Sequence, residues 1–192
     1  MRTTLCSVLL TALSLGSMPA IAAAATPHTT DPNQWQARME SALPLMGHRN
    51  WILIVDSAYP LQTSPGIETI ETNADQMEVI RAVMSALGKS PHVRSNIYMD
   101  AELPFVPEKS APGVTEYRTQ ITQLFHGQNI QTLPHDQIIG RVAEAGKSFK
   151  ILVLKSKMTI PYTSVFLQLD CKYWSAESEK ELRGKMIDAG LK

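Results

Sequence analysis

The sequence predicts a single three-layer α/β/α domain on a mainly parallel sheet, and three observations carry that expectation. Two short runs, Trp51-Ile52-Leu53-Ile54-Val55 and Ile151-Leu152-Val153-Leu154, are apolar without interruption, as strands covered on both faces are. Between them, segments with apolar residues at helical spacing alternate with further short strand-like stretches, the pattern of βα units. The chain has 192 residues, 44% of them hydrophobic and 19% charged, which suits one domain with a sizeable core.

Taken in order, the chain begins with Arg2, an apolar stretch from about Leu5 to Leu15, and small residues through Ala22-Ala23-Ala24-Ala25. That three-part layout reads residues 1–25 as a secretory signal peptide and implies a periplasmic or secreted location. The apolar part falls short of the ~18 to 20 residues needed to cross a bilayer and is interrupted by Thr11, Ser14, Gly16 and Ser17, so no membrane span is expected after cleavage. Cleavage leaves Cys171 as the one cysteine, so no intramolecular disulfide is expected. A lone cysteine just past an apolar strand reads as a small buried hydrophobe.

Asp31-Pro32 is placed to cap and open a first helix, with Trp35, Met39, Leu43 and Met46 as its apolar stripe. Thr63-Ser64-Pro65-Gly66 is a loop, and residues 66–71 alternate like a short strand. Thr72 or Asn73 then caps a helix over 74–87, with Met77, Ile80, Val83, Met84 and Leu87 on one side and Gly88 ending it. Val93 to Met99 reads as a strand, and the prolines at 104, 107 and 112 make 103–113 irregular. A helix over 115–125, a brief strand at 129–133, and a helix opened by Pro134-His135-Asp136 follow. After the apolar strand at 150–154, a turn at Pro161-Tyr162 leads into a strand over 164–169. Residues 26–174 thus form the α/β domain, and the charged segment 175–192 forms a helical extension with Leu182, Met186 and Ile187 along one side.

Lysine plus arginine and aspartate plus glutamate number 18 each, and this zero net charge suggests neither a nucleic-acid backbone nor an anionic membrane as partner. His92, His126 and His135 lack metal-ligand spacing, so no metal is expected. Ser57 sits in no Gly-x-Ser-x-Gly elbow, and Gly146-Lys147-Ser148 has no upstream glycine and precedes a strand rather than a helix. No cofactor is expected.

The most informative stretch is residues 47–60, Gly-His-Arg-Asn-Trp-Ile-Leu-Ile-Val-Asp-Ser-Ala-Tyr-Pro. An ionisable His48 precedes the apolar strand, and the strand ends on Asp56, at the carboxyl end where open α/β sheets bind ligands. Gly47-His48, the strand and Asp56-Ser57-Ala58-Tyr59-Pro60 resemble the first signature of the D-ribose pyranase and L-fucose mutarotase family. Pro161-Tyr162-Thr163-Ser164 before Val165-Phe166-Leu167 resembles the second. The resemblance spans roughly residues 34–170 and is strongest at its two ends.

The resemblance implies an RbsD-like fold, a free monosaccharide as substrate, and a homo-oligomer with sites between neighbouring subunits. Interconverting anomers or ring forms means taking a proton from the anomeric hydroxyl while giving one to the ring oxygen, and histidine exchanges protons readily near neutral pH. His48 is thereby nominated as the catalytic residue, with Asp56 as a sugar hydroxyl acceptor or partner of the imidazole. His135, Tyr162 and Ser164 are the other sugar-binding candidates. The histidine in Leu133-Pro134-His135-Asp136-Gln137 resembles the ribose-type members, since fucose-type members place an arginine there. Three departures stand out: Lys157-Met158 replaces a Gly-Glu pair, Ser164 an asparagine, and Ala58 a glycine. They leave a second expectation open, a non-catalytic sugar-binding or oligomeric scaffold protein of the cell envelope.

Overall fold

The structure is a computed structural model and describes residues 34–191. The expected signal peptide and the Asp31-Pro32 cap lie outside the described residues. In chain order the elements are α1 (Gln34–Ala42), β1 (Trp51–Val55), β2 (Ile67–Glu71), α2 (Gln76–Lys89), β3 (Val93–Asp100), α3 (Val114–Leu124), β4 (Ile130–Leu133), α4 (His135–Ala145), β5 (Ile151–Lys155), β6 (Val165–Cys171) and α5 (Ala176–Asp188). Single 3₁₀ turns at Leu43–Leu45 and Leu103–Phe105 each carry a proline near their start.

The six strands form one sheet in the order β2-β5-β1-β6-β3-β4. β2, β5 and β1 run parallel, as do β3 and β4, while β6 is antiparallel to both of its neighbours. The α/β class and the mainly parallel sheet are as the sequence predicts; the reversed β6 is an addition. It brings the start of β6, and so the 161–164 turn, to the same end of the sheet as the carboxyl ends of β1, β3 and β5.

Every residue of β1 is buried because each face of the sheet is covered there. Ile52, Ile54, Leu152, Leu154, Val165 and Leu167 point to one side, where Met39 of α1, Val79 and Ile80 of α2 and Tyr117 of α3 complete the main core. Trp51, Leu53, Val55, Val153 and Phe166 point to the other, where Ile138 and Val142 of α4 meet them. The alternation along each strand follows from the two-residue period of the pleat.

Several ends differ from the sequence expectation for visible reasons. The cap of α2 is Asp75, whose carboxylate accepts from the Met77 and Glu78 N–H groups. Thr72 is engaged instead with the Lys155 carbonyl, and Asn73 sits at φ 50°. The helix runs through Gly88 to Lys89. Cys171 is the last residue of β6 and is half-buried rather than enclosed.

Candidate functional site

β1 separates the two residues that the first signature joins in sequence. His48 lies before the strand and Asp56 after it, and five extended residues span about 16 Å. Asp56 is therefore not the partner of the His48 imidazole within one chain. That partner is Asp170, near the end of antiparallel β6, with its Oδ1 2.8 Å from His48 Nδ1.

The turn that presents His48 is firmly tied. Asn50 Oδ1 accepts from the Gly47 N–H at 2.6 Å, its amide donates to the Lys150 carbonyl at 3.1 Å, and the Arg49 N–H donates to the Leu169 carbonyl at 3.0 Å. Arg49 adopts φ 76°, an uncommon conformation for a non-glycine residue. Arg94, the register partner of Asp170, donates to Oδ2 through Nε at 3.2 Å and Nη2 at 2.9 Å. Burial alone would raise the Asp170 pKa, but hydrogen bonds from Arg94, the backbone and His48 hold it below the ordinary value. The pair borders a cavity of about 480 Å³ that Trp51, Asn96, Arg141, Phe149 and Gln168 also line.

A second imidazole–carboxylate pair stands at the opposite end of the sheet. Asp100 ends β3, His135 opens α4, and Asp100 Oδ1 lies 3.1 Å from His135 Nδ1. Glu102 accepts from the His135 N–H through both oxygens, at 3.0 and 3.1 Å, and so holds the start of α4 against the end of β3. Tyr162 meets the His135 ring edge-on with centroids 5.6 Å apart and sits at φ 60°. The Asp100 side chain is wholly buried, and its Oδ2 has no hydrogen-bond partner. Burial pushes its pKa up to about 6; the His135 contact opposes this, and the nearby Glu102 and Asp56 charges add to it. Tyr59 is pushed up to about 12 by burial and by the charges of Asp100 and Asp56.

A buried polar network fixes the loops around this pair. The Thr163 carbonyl accepts from the Gln76 amide and, at 2.6 Å, from the Tyr117 hydroxyl. Ser156 Oγ lies 3.0 Å from the Val55 carbonyl and 3.1 Å from Gln76 Oε1, and accepts from the Met158 N–H at 3.2 Å. The ends of β1 and β5, the turn before β6, and helices α2 and α3 are thereby one rigid unit. Polar backbone groups at those loops would otherwise be buried unpaired, at about 1–3 kcal/mol each.

Of the residues predicted from sequence, His135 and Tyr162 are in contact. Asp56 belongs to the same end of the sheet, its Oδ1 accepting from the Ala58 N–H at 2.8 Å in a tight turn. Ser164 is buried at the start of β6. His48 stands apart, since its partner Asp170 is bound to Arg94 on β3, six residues and about 20 Å of strand from Asp100. Lys157 is exposed, and Met158 packs against the main core.

Asp100, Asp170 and Arg94 were not singled out from sequence. A signal for Asp100 exists: like Asp56, it closes an apolar strand end, Ile97-Tyr98-Met99-Asp100. No local signal links Arg94, Asp170 and His48. Among the described residues no cluster of His, Cys, Asp or Glu is arranged to hold a metal, and no helix is long and apolar enough to cross a membrane.

Comparison with known proteins adds independent findings. Among solved structures, Bacillus subtilis RbsD complexed with D-ribose matches with a TM-score of 0.50 and 16% identity, over 70% of this chain and 92% of that one. The fucose mutarotase of Streptococcus pneumoniae in complex with L-fucose matches with a TM-score of 0.49 and 17% identity, over 76% of this chain and 98% of that one. No curated protein matches the sequence. The model of the RbsD / FucU transport protein family matches residues 33–170, nearly the whole described α/β domain, and the chain belongs to that family.

Proposed function

We propose that the protein interconverts ring forms or anomers of a free monosaccharide by acid–base ring opening, at a site completed between two copies of the chain. The observation that carries this reading is the His48 imidazole, hydrogen-bonded through Nδ1 to Asp170 with its side chain 60% exposed. An Nδ1–H donated to Asp170 leaves the Nε2 lone pair free to face a ligand. Family membership and the D-ribose bound to the Bacillus subtilis relative support a monosaccharide as that ligand.

In the proposed reaction, a base takes the proton of the anomeric hydroxyl, the bond from the anomeric carbon to the ring oxygen breaks, and the ring oxygen receives a proton. Rotation or a change of attacking hydroxyl precedes closure by the reverse steps. Asp56 accepts a sugar hydroxyl, Tyr162 offers an aromatic edge and a phenol, and Ser164 helps shape the floor of the site. These groups cluster about 20 Å from His48 in one chain, much farther than a monosaccharide reaches. The His48 that serves them is therefore assigned to a neighbouring copy.

Exchange NMR of ribose, fucose, galactose and glucose tests the reading. Acceleration of anomer or ring-form exchange of at least one of these sugars, lost by about 10²- to 10⁴-fold in His48→Ala, is the expected result. Exchange rates of all four sugars unchanged by the wild-type protein would reject it. Sugar-dependent melting without accelerated exchange would assign a binding protein instead.

A further inference from the structure

We propose that His135 is a second proton-transfer group of this site and that Asp100 is its positioning residue, so that the reaction uses two imidazole–aspartate pairs. The inference rests on the sugar-isomerising reading and extends it to a residue pair with no role in proton transfer so far.

Ring opening moves two protons: one leaves the anomeric hydroxyl and one arrives at the ring oxygen. Atoms and charge balance within the sugar if one imidazole accepts while another donates, and closure reverses both transfers. The His135 ring is equipped for this. Its Nδ1 is 3.1 Å from Asp100 Oδ1, its backbone N–H is held by Glu102, and its ring is braced by Tyr162. With Nδ1–H directed to Asp100, Nε2 is the atom left to exchange protons with a ligand. An exposed histidine at a helix start would need none of these supports.

The two pairs differ in what stands behind the aspartate. Asp170 is neutralised by Arg94 as well as facing His48. Asp100 faces no cation besides His135; the other titratable groups around it are Asp56 and Tyr59 from the end of β1, Glu102 beyond β3, and Tyr117 of α3. Its second oxygen is buried and unpartnered. The two carboxylates therefore stand in unlike surroundings: Asp100 is buried with the His135 imidazole as its side-chain partner, whereas Asp170 is shared between His48 and the Arg94 guanidinium. Their pKa values part accordingly, Asp100 raised by burial to about 6 and Asp170 held below the ordinary value by Arg94, the backbone and His48. Environments that push paired groups apart are how one site obtains both an acid and a base near neutral pH.

Asp100→Asn is the test, with Asp100→Glu and His135→Gln alongside. Exchange NMR on the intact protein should show a fall of about 10²-fold or more in kcat for Asp100→Asn with KM little changed. The limb of the pH profile near pH 6 should be lost, and Asp100→Glu should recover part of the rate. The double variant Asp100→Asn/His135→Gln should be no worse than the poorer single one, because one residue acts through the other. Imidazole ¹⁵N shifts of the neutral ring, read at alkaline pH, should place the His135 proton on Nδ1 in the wild type and move it in Asp100→Asn. A wild-type rate and pH profile in Asp100→Asn, or losses that multiply in the double variant, would overturn the inference while His48→Ala still upholds the parent reading. A wild-type protein that accelerates no exchange defeats the parent reading, and with it the proton transfer proposed for His135. The ¹⁵N shifts then still decide whether Asp100 sets the tautomer.

Discussion

At the scale of single residues, the cost of Asp100 is measurable without any substrate. An ordinary aspartate ionises near pH 4, but this one holds its proton to about pH 6 in the folded chain. Between those values the folded state binds more protons than the unfolded state, so stability falls as pH rises. A shift of about two units corresponds to about 3 kcal/mol, fully felt above pH 6 and absent below pH 4. Asp100→Asn removes the ionisation at constant shape. Urea unfolding should find the variant gaining on the wild type from pH 4 to pH 7, by up to about 3 kcal/mol, while losing exchange activity. A stability difference that stays flat across that range would show that Asp100 is not a destabilising buried charge. Such a loss of stability is a recurring trade in functional sites and accords with the positioning role proposed for Asp100. Arg49 and Tyr162, at φ 76° and 60°, are strained neighbours of the two histidines and fit the same pattern.

At the scale of elements, the helices that build the site and the one that does not are told apart by what they bury. α2 buries Gln76, Met77, Val79, Ile80, Val83 and Leu87, whereas α5 buries none of its residues. An isolated 13-residue helix is marginal in water. α5 is supported locally by the Ser175 cap and by the Glu179–Arg183 and Glu181–Lys185 pairs at 2.7 and 2.6 Å. Removal of residues 176–192 should therefore shift Tm by no more than about 2 °C. A fall of more than about 5 °C on thermal unfolding by circular dichroism would show that the segment is part of the folding unit. α3 is set differently: Gly113 at φ 92° precedes it, and the Glu108 carboxylate accepts from the Gly113 and Thr115 N–H groups. Those backbone hydrogen bonds pull the Glu108 pKa down to about 2, so this cap persists through the pH range in which Asp100 titrates. The helix spans were legible from spacing, but the caps were not, because a cap depends on which neighbour already claims each short polar side chain.

At the scale of the whole molecule, the sheet holds two imidazole–carboxylate pairs about 20 Å apart along β3, the two halves of the proposed site. Joint action on one sugar then requires two copies, each lending one end of its sheet to the other. Such a contact closes either reciprocally, as a two-fold dimer with two sites, or head to tail, as a ring with one site per interface. Mixing His48→Ala with His135→Ala, each inactive alone, and allowing subunits to exchange should restore activity. Random pairing makes about one site in four intact, so about a quarter of the wild-type rate is expected. No recovery, with subunit exchange verified by mass, would place the working site within a single chain.

The sequence alone determined what local spacing and composition can encode. Uninterrupted apolar runs mark the central strands, helical periodicity marks the layers around them, two short signatures single out His48, Asp56, Tyr162 and Ser164, and the segment 133–137 adds His135. Those features depend on neighbours a few residues apart, and a chain displays them before it folds. Only the tertiary structure decided which of these residues meet. The reversal of β6 brings Asp170 to His48 across 122 positions and sets Tyr162 against His135, while β1 holds His48 and Asp56 apart. The physical reason is that a strand is stiff and extended, so closeness in sequence becomes separation in space, and partnership is assigned by the order and direction in which strands pair.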